Sequence, residues 1–254
     1  MRWYFILIVL LISACASQQG SRASYSEANR HESARIHAEL GSGYYQQNQM
    51  DVALEEFTKA TIFDPTYSSG FNGLAMTYAA INEDVKAEDN FKKSIALDVK
   101  NAEAHNNYGS FLCSRNRVDE SIEQFLEAVK NPLYTTPFIA YTNAGYCSLK
   151  KSDVNSAERF FSLALQYQPL LHNAAYQLAK IYFDRQQYGL VRQTMVNALA
   201  NNPSPEMLWL GVRIEHRLGN QDAESSYALE LRRNFPEAPQ TKSLLSGSWR
   251  WNRN

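Results

Sequence analysis

Three cysteines, five histidines and scattered carboxylates are the residues able to carry chemistry, and their spacing admits little of it. The first cysteine closes Ile12-Ser13-Ala14-Cys15: aliphatic, small, small, Cys. That order reads as a lipobox, in which cleavage before Cys15 leaves its thiol at the new N-terminus to carry lipid. Met1-Arg2 supplies a positive start, and Trp3 to Leu11 is an unbroken apolar run. A membrane-spanning helix needs about twenty apolar residues, so the run has the proportions of a signal-peptide core instead. A bacterial lipoprotein is the preferred reading; an ordinary secretory signal with an incidental cysteine is the alternative. Ala16 follows the cysteine, not the Asp that commonly retains such proteins at the inner membrane, which by sorting-rule resemblance favours the outer membrane.

The remaining candidates form no catalytic constellation. None of His31, His37, His105, His172 and His216 stands four residues from another, and neither HExxH nor CxxC occurs, so no metal site is expected. His37 and His105 fall where a repeat places bulky core residues and read as half-buried core histidines. Gly41-Ser42-Gly43 follows no strand and lacks the Lys-Ser/Thr of a phosphate loop. Glu55-Glu56 and Asp119-Glu120 read as solvated outer faces of helices. No enzyme activity, cofactor or small-molecule substrate is expected. The formal net charge is −1, without a basic stripe, which speaks against nucleic acid. Hydrophobic residues at 44% and charged residues at 20% suit an ordinary folded core.

Cys113 and Cys147 remain as a pair. An oxidising compartment favours a bridge between them over two small buried thiols. Neighbouring helices lie about 8–10 Å apart and a bridge needs Cα atoms within about 7 Å, so the side chains would have to point at each other.

The elements that must position these residues are legible as a repeat. Leu40-Gly41-x-x-Tyr44, with Ala53, Phe57, Ala60 and Pro65, returns as Leu74-Ala75-x-x-Tyr78 with Ala87, Phe91 and Ser94. The pattern continues at Tyr108-Gly109, Ala144-Gly145 and Leu178-Ala179, and in degraded form at Leu210-Gly211 with Ala223 and Tyr227. A period near 34 with small residues at fixed places is the tetratricopeptide pattern. The small residues let the two helices of a pair approach, the large ones fill the space around that contact, and proline stops the second helix. The fold expected is all-α: a right-handed superhelical solenoid of six repeats with a C-terminal capping helix. Two residues are added before the fourth repeat, around Pro132 and Pro137, and two are missing before the sixth. The segments are 1–14 as signal peptide, 15–30 as lipidated N-terminus and flexible tether (with Ala23 to Arg30 as a candidate entry helix), 31–236 as repeats and 237–254 as cap and tail.

Such arrays offer a concave groove lined by the first helix of each pair. Its positions here hold Tyr45, Met76, Tyr146, Leu149, Tyr176 and Phe183, with Asn72 and Asn106 able to pair with a peptide backbone. A stripe of exposed aromatic and apolar residues suits an extended or helical segment of a protein partner. The bland alternative is that some of them complete the core between repeats.

The lipobox, the tether and six repeats together resemble the type IV pilus biogenesis and stability lipoproteins, the pilotin-like PilF/PilW family. Asn106-Asn107-Tyr108-Gly109-x-Phe111-Leu112-Cys113, Asn131-Pro132-Leu133-Tyr134 and Asn143-Ala144-Gly145-Tyr146-Cys147 carry the likeness. The resemblance implies paired cysteines at Cys113 and Cys147. It implies a non-enzymatic monomer at the periplasmic face of the outer membrane that binds the pilus secretin subunit and promotes its localisation or multimerisation, or pilus stability. The alternative is a lipoprotein adaptor of the same architecture for peptidoglycan hydrolases or outer-membrane protein assembly.

Overall fold

The first helix of each pair ends the same way, and the rest of the repeat follows from that ending. Asn48, Asn82, Asn116, Ser152, Gln186 and Gly219 all have positive φ, between 60° and 73°. The residue after each donates its N–H five residues back, to Tyr44, Tyr78, Leu112, Ser148, Tyr182 and Glu215, every one at 2.9 Å. This is a Schellman ending, which closes the open carbonyls of the helix and turns the chain sharply. Asparagine tolerates the left-handed conformation better than most residues, and glycine pays nothing for it.

The computed structural model describes residues 26–247. The signal segment, the lipobox with Cys15, and Trp249 and Trp251 lie outside the described residues. All regular structure among those described is helical. Helix α1 runs over 26–46 and α2 over Met50–Phe63. Then come α3 (Ser68–Ala80), α4 (Asp84–Leu97), α5 (Ala102–Ser114) and α6 (Val118–Lys130). They are followed by α7 (Pro137–Lys150), α8 (Val154–Tyr167), α9 (His172–Asp184), α10 (Tyr188–Ala200), α11 (Pro205–Arg217), α12 (Gln221–Asn234) and α13 (Pro239–Ser246). Six pairs and a final helix result. Residues 26–30, the last five of the segment expected as tether, are helical and belong to α1.

Local signals fix the starts of several helices. Proline stands at the first turn of α7, α11 and α13, where its missing N–H costs nothing. Asp153, Ser204 and Asn220 cap α8, α11 and α12 by accepting from Ser156, Met207 and Ala223 N–H groups.

The chain divides into two compact units, Met1–Phe111 and Leu112–Asn254. In the first, Ala34, Ala38, Ala53, Phe57, Ala60 and Leu74 form the leading core. The Phe57 ring lies between two glycines: a Cβ on Gly41 would stand 2.9 Å from it, and one on Gly73 2.1 Å from it. Ser94, where most repeats carry alanine, is buried but paired: its hydroxyl donates to the Ser68 carbonyl at 2.9 Å. Glu56 departs from the solvated face expected for it. It is buried because the Lys59 ammonium (2.7 Å) and the His37 ring (2.6 Å) both meet it. His37 in turn stacks on Phe63.

Those two hydrogen bonds, from Lys59 first and His37 second, hold the Glu56 carboxyl below its ordinary range. A depressed carboxylate stabilises the fold above its ordinary pKa, and that contribution is lost as the pH falls through the depressed value. Below pH about 4, the wild type is therefore expected to lose urea resistance more steeply than Glu56→Gln. Parallel slopes in equilibrium unfolding between pH 3 and 6 would refute this assignment.

In the second unit, Ala157, Phe161, Ala164, Ala174, Leu178 and Ile181 form one core, and Ala175, Ala179, Val191, Met195, Met207, Leu210 and Ile214 the next. Gly145 admits Phe161 and Gly211 admits Tyr227. Helix α13 closes the last pair: Thr241 is buried and donates to the Phe235 carbonyl at 2.5 Å. The join before the sixth repeat is shorter by one residue, not two, since α11 and α12 each begin 33 residues after α9 and α10. The side-chain pattern at Leu210, Gly211, Ala223 and Tyr227 is stepped by 32, whereas the helix starts and the turn residue Gly219 are stepped by 33.

Leu40 is 46% exposed, whereas its counterparts Leu74, Tyr108, Ala144, Leu178 and Leu210 are buried. Ile36 is 43% exposed where later repeats bury Gly70, Ala104, Ala140 and Ala174. Among the described residues, the leading face of α1 is the one helix-A face with no preceding pair against it.

Candidate protein-binding site

The groove residues fall into two groups, one in each unit. In the first, Tyr45, Asn72 and Met76 border a hollow of about 610 Å³, together with Glu39, Tyr67 and Glu103. Tyr45 and Met76 are half-buried and Asn72 is buried. Asn106 does not reach this hollow. It is buried, and its neighbour Asn107 stands in the lining instead. The Asn107 amide donates to the Met76 sulfur at 3.1 Å and to Asn72 Oδ1 at 3.4 Å. Successive helical residues point about 100° apart, so one residue decides between core and groove. Glu39 is paired with Arg35 on the same helix.

In the second unit, Tyr146 is exposed and sets its ring edge-on to Phe161, 5.3 Å between centroids. Leu149 lines a hollow of about 380 Å³ with Val154, Gln177, Lys180, Ile181, Asp184 and Arg185. Tyr176 and Phe183 are half-buried and pack against the core of α9, α10 and α11. Burial, and then the charge of Glu206, raise the Tyr176 hydroxyl above its ordinary pKa. The stripe is therefore mixed: Tyr146 presents its ring to solvent, and the others share themselves between groove and core.

Cys113 and Cys147 are joined by a disulfide whose Cα atoms are 5.9 Å apart. Cys147 is fully buried, with the Ser121 hydroxyl 3.3 Å from its sulfur. The Lys150 ammonium donates to the Cys113 carbonyl at 2.8 Å.

Among the described residues no group of three or more His, Cys, Asp or Glu side chains is placed to hold a metal ion. None of the described helices is long and apolar enough to cross a membrane. His105 is buried, with its ring nitrogen 3.2 Å from the Val99 carbonyl. Asp119 and Glu120 are exposed and pair with Lys151 and Arg117.

Reading residue types alone missed two residues that shape these surfaces. Gly73 stands outside the small-residue positions of the repeat, and its purpose shows only once Phe57 of the preceding pair reaches it. Arg213, on α11, lies with its guanidinium 4.2 Å from the centre of the Phe183 ring. Counted back from the turn residues Asn82, Ser152 and Gly219 it matches Met76 and Tyr146, whereas the sequence register from Gly211 puts Val212 at that position.

Paired helices with glycine-admitted aromatics, Schellman turns at repeat spacing and lined grooves define a tetratricopeptide-repeat protein. YrrB, a TPR protein with an unusual peptide-binding site, shares this fold at a TM-score of 0.58 and 14% identity over 75% of this chain and 97% of its own. No family model matches the sequence. The type IV pilus assembly protein PilF of Pseudomonas aeruginosa is 26% identical over 231 residues, 91% of this chain and 92% of that protein. The PilF structure superposes at a TM-score of 0.72, covering 86% of this chain and 99% of PilF. PilW, a widely conserved type IV pilus biogenesis factor, follows at 0.66 with 29% identity, over 84% and 98% of the two chains. The chain is homologous to PilF and structurally similar to both PilF and PilW, tetratricopeptide-repeat proteins of type IV pilus biogenesis.

Proposed function

We propose that this chain is a non-catalytic lipoprotein scaffold of type IV pilus biogenesis that acts as a pilotin. In this reading residues 1–14 are removed, Cys15 carries lipid, and the lipid holds the repeats at the periplasmic face of the outer membrane. The groove captures a segment of the pilus secretin subunit and promotes its outer-membrane localisation and multimerisation. Tethering raises the local concentration of secretin subunits at the membrane, so that assembly there outpaces assembly elsewhere. The observation that carries this reading is the likeness to PilF along nearly the whole length of both chains. The lipobox residues Ile12-Ser13-Ala14-Cys15 support the anchoring, and the oxidising periplasm suits the Cys113–Cys147 bridge.

The test is deletion and replacement. Cells lacking the gene are expected to lose heat-stable secretin multimers from the outer membrane and with them surface pili and twitching. Cys15→Ser is expected to leave a folded protein in the soluble periplasmic fraction while secretin multimers stay low. Normal multimers and piliation in the deletion strain would remove the proposal. Full rescue by Cys15→Ser would remove the anchoring part alone.

A further inference from the structure

Arg213 has a surrounding unlike that of the other groove cations. Its side chain is half-buried against the Phe183 face, within the range of a cation–π contact. Among the described residues no carboxylate lies within ion-pairing distance of it. Arg185, by contrast, is spent on Glu158 and on Asn155 Oδ1 (2.8 Å). The charges facing Arg213 are Asp184, which attracts it from beyond contact distance, and Arg217, which repels it. Of the two acids on α11, Glu206 accepts from the Gln240 amide at 3.0 Å and Glu215 is paired with Arg192. Burial is the main influence on the Arg213 guanidinium and lowers its pKa from the ordinary value. A cation taken partly out of water without a carboxylate partner is costly, and its planar fork matches a carboxylate bidentately.

The hollow beside it supplies the second half of a site. Helix α9 carries both features: Phe183 meets the Arg213 guanidinium, and Gln177, Lys180, Ile181 and Asp184 line the 380 Å³ space. Leu149, Val154 and Ile181 make the floor apolar. Lys180 stands at its edge, and no carboxylate among the described residues pairs with it. The space is large enough for one aliphatic or aromatic side chain, and Arg213 adds a positive charge to the opposed charges of Lys180 and Asp184.

We propose that the groove face of α9 and α11 recognises a polypeptide segment bearing a carboxylate side chain next to an apolar residue. The carboxylate meets Arg213 over the Phe183 ring, with Lys180 adding attraction, and the apolar side chain enters the Leu149–Ile181 hollow. This deepens the reading of the groove as a protein-binding surface and rests on it. It does not depend on the partner being a secretin.

The experiment uses the full-length chain in detergent micelles and a phage-displayed library of random dodecapeptides. Selected peptides are expected to carry Asp or Glu beside Leu, Ile, Met or Phe. A selected peptide, synthesised and measured by fluorescence anisotropy, should bind Arg213→Gln at least about tenfold more weakly than wild type. Arg213→Glu should abolish binding, and Lys242→Glu, on exposed α13, should leave it unchanged. Replacing the peptide's acidic residue by its amide should cost wild type the same factor, an arm that needs no variant to fold. Selection of peptides without acids, failure to select any, or affinity on Arg213→Gln within about twofold of wild type would overturn the proposal. If peptide selectivity holds while secretin multimers prove independent of the protein, the site stands and the partner assigned above falls.

Discussion

Gly73→Ala is expected to destabilise the first unit severely. The added methyl carbon would stand 2.1, 2.2 and 2.5 Å from three atoms of the Phe57 ring. Carbon atoms in contact settle near 3.5–4.0 Å, so the ring or α3 must move by more than an ångström. The ring has little room to shift, because Gly41 also approaches it closely. Overfilling a packed core typically costs about 1–3 kcal/mol, and a clash this close belongs at the upper end. A thermal melt should show unfolding begin earlier, and Phe57→Leu in the same chain should recover part of the loss by vacating the ring. A melt unchanged by Gly73→Ala would mean that α1, α2 and α3 do not close on Phe57 as described.

Cys147→Ser should be the costliest change in the second unit. The Cys113–Cys147 bridge closes a loop with a sequence separation of 34. On the loop-entropy model such a closure contributes about 4 kcal/mol, by restricting the unfolded chain. The same loss is expected from Cys113→Ser, from the double variant and from reductant added to wild type, since each removes the same constraint. Cys147→Ser carries a small additional penalty because the site is fully buried and already faces the Ser121 hydroxyl. Urea unfolding with and without reductant measures all four states. Two free thiols in non-reducing mass spectrometry of periplasmic protein would refute the bridge.

The repeat was legible because its signal is redundant. Gly41, Phe57, Gly145 and Phe161 recur at fixed separations, and a fixed separation on helices means a fixed contact. What escaped the sequence lies between repeats or within turns. Gly73 answers to a ring on the helix before it, in the preceding pair, so no pattern inside its own pair calls for it. The one-residue difference before the sixth repeat was hidden because Gly211 and Tyr227 keep the spacing of Gly41 and Phe57 and follow Ala179 and Met195 by 32, while the helices themselves start 33 residues on. Asn48, Asn82 and Asn116 announce a left-handed ending by type. Ser152 and Gln186 do the same job with side chains that give no such notice. Glu56 read as a surface acid because His37, the partner that draws it inward, is nineteen residues away in sequence.

The bare leading face of α1 has a mechanical consequence. Ile36 and Leu40 gain little from neighbours on that side, so α1 is held by the Ala34, Ala38 and Phe57 contacts and by the His31–Asp64 and His37–Glu56 contacts to α2 and its following turn. It is also the described helix nearest Cys15 in sequence. If that residue is the anchor, any tension between membrane and cargo enters the fold through α1, whose Ile36 and Leu40 are exposed. Under load the array should peel from α1 inward, one helix at a time, with later pairs intact. The anchor end would then act as a fuse, yielding while the groove of the second unit keeps its grip.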